Sequence, residues 1–258
     1  MALRRLRAAG RLIRCVVHGL HGLAIVLLRF PRLAPTERLA KIRWWSGKML
    51  RLIGIELRVE GRPARGGCLL AVNHISWLDI MVVHAIAPEA RFVSKADVKA
   101  WPLLSRLVDS AGTLYLERER KRDALRVVHA MAEALRAGET VAIFPEGTTS
   151  TGHGLLPFHA NLLQAAISTA TPVQPVALRF SDSSHAVSEA MEFVGATTLA
   201  RSLWNSASGD GVVARVLFLA PRESAGADRR ALAARLRADI AGALGVSEES
   251  AGRQPPEA

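Results

Sequence analysis

From residue 55 onward, short apolar runs alternate with amphipathic stretches, and the spacing predicts strands and helices in turn. Residues 55–59, 68–72, 91–94, 113–116, 141–144, 173–180 and 212–219 read as strands, each short, apolar and closed by polar or turn-forming residues. Between them, residues 77–86, 101–107, 119–137, 157–167 and 228–244 read as helices, with a shorter one around Leu199, Leu203 and Trp204. The segment 119–137 is the clearest: Leu125, Val128, Ala132 and Leu135 recur every three or four residues, charges fill the other face, and Gly138 supplies the stop. Pro175 removes a ladder hydrogen bond inside an apolar run, so it should mark a sheet edge, a bulge or a strand end. Alternation of this kind predicts an α/β fold with a mixed, largely parallel central sheet flanked by helices.

Before residue 55 the pattern changes. Residues 15–28 are 14 positions without a formal charge, bracketed by Arg14 and Arg29. That is short of the roughly 20 residues a spanning helix needs, and residues 12–30 would span only if both arginines reached back to the interface. Residues 36–53 repeat Leu39, Ile42, Trp45, Met49, Leu52 and Ile53 at helical spacing, while Lys41, Lys48 and Arg51 lie mostly elsewhere on the wheel. Such a helix can pack its apolar face on the rest of the chain or lie in a bilayer surface, where Trp44 and Trp45 suit the headgroup level. The reading adopted is a membrane-associating helical pair over residues 1–54, an α/β domain over 55–246, and a disordered tail over 247–258.

Charge sharpens that reading. The net charge of +11 is concentrated at one end: residues 1–60 hold 13 Lys or Arg against 3 acids, leaving 21 basic and 20 acidic residues in the remainder. A basic segment wrapped around an apolar run suits an anionic membrane surface, and the even charge beyond it argues against nucleic acid as a partner. Cys15 and Cys68 are too isolated to suggest a disulfide framework or a cysteine zinc site. A reducing compartment is therefore expected, at the cytoplasmic face of the inner membrane, peripheral and monotopic or with a single N-terminal span. Metal and nucleotide motifs such as His-Glu-x-x-His, Gly-x-x-x-x-Gly-Lys and Gly-x-Gly-x-x-Gly are missing, and no metal site is expected.

Two polar turns carry the candidate chemistry. Asn73-His74-Ile75-Ser76-Trp77-Leu78-Asp79 follows directly on the apolar run 68–72. If residues 76–86 are helical, Asp79 lies about one turn beyond His74 and can fold back onto the imidazole. A carboxylate that accepts one ring N–H fixes the tautomer and leaves the other nitrogen free as a base. An ordinary turn histidine followed by a first-turn acid would look the same. The second turn, Phe144-Pro145-Glu146-Gly147-Thr148-Thr149-Ser150, likewise ends an apolar run, with a glycine that permits a sharp bend and hydroxyls that can donate to an anion.

Together these residues resemble the glycerolipid acyltransferases that acylate lysophosphatidic acid, a family defined by ordered blocks. Asn73-His74 and Asp79 match the first block, Gly112 to Arg118 the second, Phe144 to Ser150 the third at six of seven places, and Thr171 to Val176 the fourth. The resemblance implies a glycerol-3-phosphate acyltransferase-like fold. It also implies transfer of a fatty acyl group from a thioester of acyl carrier protein (acyl-ACP) or coenzyme A (acyl-CoA) to a lysolipid hydroxyl, with no tightly bound cofactor. The departure is Thr149, where many members carry an arginine that would help hold the acceptor phosphate. Some bacterial relatives that acylate lyso-ornithine lipid look like the Glu-Gly-Thr-Thr form found here.

On that resemblance His74 is expected to be the general base and Asp79 its orienting acid. Arg118, Lys95, Gly147, Thr148 and Thr149 are expected at the acceptor headgroup, and Glu146 is expected to bind an acceptor hydroxyl or hold Arg118. Oxyanion donors are sought at the turns near Ser76 or Gly147, and an acyl groove beside Trp77, Phe92, Trp101 or Phe158. The expected acceptor is 1-acyl-sn-glycerol-3-phosphate at its sn-2 hydroxyl. O-acylation of lyso-ornithine lipid is the alternative, and a catalytically inactive membrane-surface lipid-binding protein is the alternative of another class.

Overall fold

A computed structural model describes residues 2–95, 102–116 and 121–248. Two helices, α1 (Ala2–Leu28) and α2 (Pro35–Ile53), precede β1 (Ile55–Glu60), β2 (Leu69–Val72), α3 (Leu78–Ile86) and β3 (Arg91–Lys95). Then come α4 (Pro102–Ser110), β4 (Leu114–Leu116), α5 (Lys121–Arg136), β5 (Val141–Ile143), β6 (Gly154–Leu155) and α6 (Gln164–Thr169). The chain continues through β7 (Val173–Ser181), α7 (Leu199–Ser208), β8 (Val212–Phe218), α8 (Arg229–Leu244) and β9 (Ser247–Glu248).

The main sheet has seven strands in the order β1-β8-β7-β2-β5-β3-β4. β7, β2, β5, β3 and β4 run parallel, while β8 pairs antiparallel with β7 and parallel with β1. Strand side chains alternate between faces, and here both faces are covered. Leu70 and Val72 of β2 join a core with Leu50 and Ile53 of α2, Val82 of α3 and Ala207 of α7. Leu69 and Ala71 join a second core with Met131 of α5, Ala166 of α6 and Leu236 of α8. Burial on both sides is why β2 and β5 are uninterrupted apolar runs. Their pairing, Leu69↔Val141 through Ala71↔Ile143, brings the two polar turns out side by side at one end of the sheet.

Several expectations need correction. β7 is an interior strand between β8 and β2, so Pro175 does not mark an edge. The antiparallel ladder with β8 stops at Val176↔Phe218, one residue before the proline, and the Pro175 carbonyl accepts the Leu219 N–H at 3.0 Å. Leu125 of α5 is exposed, whereas Val127, Met131 and Leu135 are buried, so packing selects a stripe slightly rotated from the one the spacing suggested. Ser247–Glu248, assigned to the tail, pair with β6; residues 249–258 lie outside the described residues.

The N-terminal helices are part of the folded unit. Met49, Leu50 and Ile53 of α2 and Ala8 and Cys15 of α1 belong to the same core as β2, so no boundary falls at residue 54. Among the described residues, α1 is the one helix long and apolar enough to cross a membrane; α2 is not a second, because Glu37, Arg38, Lys41, Arg43, Lys48 and Arg51 interrupt it, and its buried residues pack inward. Arg11 donates to the carbonyls of Ala207 (2.9 Å) and Gly209 (2.6 Å), Arg4 donates to Ser208 O (3.1 Å), and Arg7 pairs with Asp210 (3.0 Å). Three cations thus fasten the first half of α1 to the carbonyl-rich end of α7. Its outer side exposes Leu6, Ile13, Val16, Val17, Leu20 and Leu28.

Candidate active site

The first turn builds a fixed acid-imidazole pair. α3 begins at Leu78, which puts Asp79 in its first turn, where the positive end of the helix dipole favours a carboxylate. Asp79 Oδ2 accepts His74 Nδ1–H at 2.8 Å, Ile75 N–H at 2.7 Å and Ser76 N–H at 2.9 Å. The Asp79 side chain is 0% exposed and that of His74 17%, so the acid is sealed while the ring still reaches the surface. With Nδ1–H held by Asp79, Nε2 carries the free lone pair. Phe144 stacks on the imidazole with centroids 3.8 Å apart and planes 10° apart, and Phe92 stacks behind Phe144 at 5.3 Å. The ring is held by its acid on one edge and an aromatic wall on one face.

The second turn grips the backbone of the first. Glu146 is 2% exposed, and its carboxylate accepts His74 N–H at 2.7 Å through Oε1 and Leu156 N–H at 3.0 Å through Oε2. Burial pushes its carboxyl up to about 7, while the bonds from His74 and Leu156 pull the other way and Asp79 adds to the rise. Ser150 donates both its N–H (2.7 Å) and its hydroxyl (3.1 Å) to the His74 carbonyl. His74 is therefore clamped at its N–H and its C=O by residues more than seventy positions away. Asn73 does comparable work behind it: its amide accepts Leu178 N–H at 2.7 Å and donates to Leu178 O at 2.9 Å, prolonging the β2–β7 pairing after β2 ends.

Glu146 faces inward onto two backbone N–H groups, and Arg118, the partner expected for it, lies outside the described residues. The Thr149 hydroxyl donates to the Phe193 carbonyl. Gly147, at φ +71°, lets the turn close, and a Cβ there would stand 2.9 Å from His159 Cδ2. Ser76 N–H is engaged by Asp79 and Gly147 N–H by Phe144 O. Among the described residues, the N–H groups of Thr148 and Thr149 bond no partner. Thr148 is half-buried beside Gly147. Arg118 lies outside the described residues, as do Trp101 and the side chain of Lys95, whose backbone closes β3.

Phe92 is core, and Trp77 donates its indole N–H to Ser202 Oγ at 3.2 Å. His84 is buried, bonded to Ala90 O at 3.0 Å and pushed down to about 4 by burial, while His129 sits on the surface beside Glu133. Among the described residues, no group of three or more His, Cys, Asp or Glu is placed to hold a metal ion. A groove of about 970 Å³ opens at the opposite end of the sheet, lined by Arg38, Arg62 and Arg65 among others, and none of the reacting residues reaches it. Spacing gives no signal for the stacking of Phe144 on His74, and Ser150, expected as a donor to an anion, donates to the His74 carbonyl. Phe193 lies in a stretch whose pattern gave no signal.

A family model described as Acyltransferase matches residues 55–179, from β1 into β7 and across both turns. The chain is 36% identical over 235 residues to the lyso-ornithine lipid O-acyltransferase of Pseudomonas aeruginosa, covering 90% of each chain. It is 37% identical over 181 residues to the 1-acyl-sn-glycerol-3-phosphate acyltransferase of Neisseria meningitidis, covering 69% of each. The crystal structure of the 1-acyl-sn-glycerophosphate (LPA) acyltransferase from Thermotoga maritima superposes with a TM-score of 0.67 at 20% identity, over 91% of this chain and 96% of that one, which shows a shared fold.

Proposed function

The chain belongs to the acyltransferase family and is an O-acyltransferase acting on a lysophospholipid-like acceptor; from that premise we propose that its acceptor is a lyso-ornithine lipid and its base is His74. The donor in this reading is a fatty acyl thioester of acyl carrier protein or coenzyme A. His74 Nε2 takes the proton of the acceptor hydroxyl as its oxygen attacks the thioester carbonyl, and Asp79 stabilises the imidazolium that forms. The oxyanion faces the free N–H groups of Thr148 and Thr149. Collapse breaks the C–S bond, the imidazolium returns its proton to the departing thiolate, and the products are an ester and a thiol. Cys68 takes no part: it is buried, and burial pushes its thiol up to about 11.

The observation that carries the base assignment is the 2.8 Å contact between His74 Nδ1 and the sealed Asp79. The acceptor assignment is supported by the relative matched across 90% of both chains and by a neutral Thr149 in the second turn. Lysophosphatidic acid is the second reading, favoured by the Neisseria relative. Membrane association comes through α1, whose apolar outer side adjoins Trp44, itself flanked by Lys41 Nζ at 5.8 Å and Lys48 Nζ at 5.1 Å. In this reading that surface lies in the headgroup layer, so the lysolipid is taken from the interface. Purified enzyme in mixed micelles, given both acceptors and a labelled acyl thioester, tests the choice: turnover of lyso-ornithine lipid supports it, and turnover of lysophosphatidic acid alone overturns it.

A further inference from the structure

The second turn and the segment carrying Phe193 meet beside the reacting pair. Thr149 Oγ1 donates to the Phe193 carbonyl, and Phe193 N–H donates at 3.3 Å to the carbonyl of Ile75, the residue after His74. Glu192 is therefore held one residue away from contacts to both turns. Its side chain is 22% exposed, and its described partner within ion-pair reach is the His153 ring, with Nε2 at 4.0 Å from Oε1 and 60% exposed. Burial pushes the Glu192 carboxyl up, His153 pulls it down and Glu189 adds to the rise. A carboxylate so desolvated, with its one described partner at the limit of contact, gains from a closer cation.

Position 149 gives this carboxylate its meaning. The hydroxyl there, short and neutral, bonds the Phe193 carbonyl, and the Glu192 carboxylate, from the residue before Phe193, lies 4.0 Å from His153, three residues past the second turn. An acceptor headed by a phosphate would meet like charge in a partly water-excluded place, and one headed by an ammonium would meet its opposite. An ornithine headgroup joined to its lipid through one amine keeps the other as an ammonium beside its own carboxylate, whereas lysophosphatidic acid has only the anionic phosphate.

Resting on the reading of the acceptor as a lyso-ornithine lipid, we infer that Glu192 determines specificity by receiving the free ammonium of the acceptor headgroup and disfavouring a phosphate. The residue binds the end of the acceptor away from the reacting hydroxyl, so its effect falls on KM more than on kcat.

The test measures kcat/KM for wild type, Glu192→Gln and Glu192→Asp on three acceptors: lyso-ornithine lipid, the same lipid with its amine acetylated, and lysophosphatidic acid. Wild type should prefer the free amine to the acetylated one. Glu192→Gln should lose roughly 10- to 100-fold on the free amine, the range expected when one charge-assisted bond is lost, and its preference between the two ornithine acceptors should collapse toward one. Glu192→Asp should keep part of that preference. A carboxylate that only braced its segment would lower all acceptors alike, and an unchanged ratio in Glu192→Gln, or a wild type indifferent to acetylation, overturns the inference alone. A wild type that acylates lysophosphatidic acid but neither ornithine acceptor overturns the acceptor reading and the inference with it.

Discussion

Replacing Glu146 by Gln separates a positioning role from an acceptor-binding one. Its two carboxylate oxygens each accept one backbone N–H, from His74 at 2.7 Å and from Leu156 at 3.0 Å. An amide offers one oxygen and one NH2, so whichever way it turns, one of those N–H groups faces a donor. Leaving a buried donor unpaired costs about 1–3 kcal/mol. Wild type carries an opposing term, because burial pushes the Glu146 carboxyl up to about 7 from an ordinary value of 4.5. A carboxyl whose folded pKa is raised holds its proton more tightly when folded, so its stabilising contribution is fully present below the unfolded pKa and is lost as pH rises through the folded one. The loss amounts to about 3 kcal/mol once the group is ionised.

Gln has no proton to lose. The destabilisation caused by Glu146→Gln should therefore be greatest near pH ~5 and shrink by up to about 3 kcal/mol by pH ~8. Denaturant unfolding of the detergent-solubilised enzyme at several pH values, followed by tryptophan fluorescence, reads this directly. Released from its N–H anchor, His74 should also lose alignment, lowering kcat about tenfold with little change in acceptor KM. A destabilisation that is the same at every pH would refute the buried-ionisation argument. A variant with raised acceptor KM and unchanged kcat would show that Glu146 binds the acceptor after all.

Three further outcomes follow from the same geometry. Asp79→Asn keeps an oxygen for the three donors on Oδ2 but removes the charge that stabilises the imidazolium, so steady-state acyl transfer should fall about 10²- to 10⁴-fold while the protein stays folded. Asn73→Ala strips two buried hydrogen bonds from Leu178 and should cost about 2–4 kcal/mol in denaturant unfolding; a loss below 1 kcal/mol would contradict the strand-extending role. Changing Val16 and Leu20, 62% and 56% exposed on the outer side of α1, to Lys should shift the enzyme from the membrane to the soluble fraction without moving its thermal midpoint, and unchanged membrane recovery would count against that surface.

What the sequence made legible was what burial writes into it. β2 and β5, covered on both faces, read as unbroken apolar runs, and the polar residues that end them mark the site. The spacing from His74 to Asp79 also announced their contact, because helical geometry is local. Contacts across the sheet were not legible: the strand order placing β2 beside β5 is not sequential, so nothing near Glu146 showed that its carboxylate would reach His74 N–H, and a glutamate in a turn reads as exposed. For α5, overlapping apolar stripes fit the same residues, and packing against the sheet, not spacing, left Leu125 outside. For α2, one amphipathic face served equally well for a bilayer or for α3. β6 and β9, two residues each, are too short to carry a pattern.

The most direct test of the central claim is single-turnover acyl transfer by His74→Ala, with wild type and Asp79→Asn alongside, in the same micelles and with the acyl thioester in excess. The account predicts a fall of at least about 10²-fold in the rate of ester formation. It also predicts a thermal midpoint close to wild type, because the backbone contacts of residue 74 with Glu146 and Ser150 survive the change. Ester formation within a few-fold of wild type by a folded His74→Ala enzyme would contradict it.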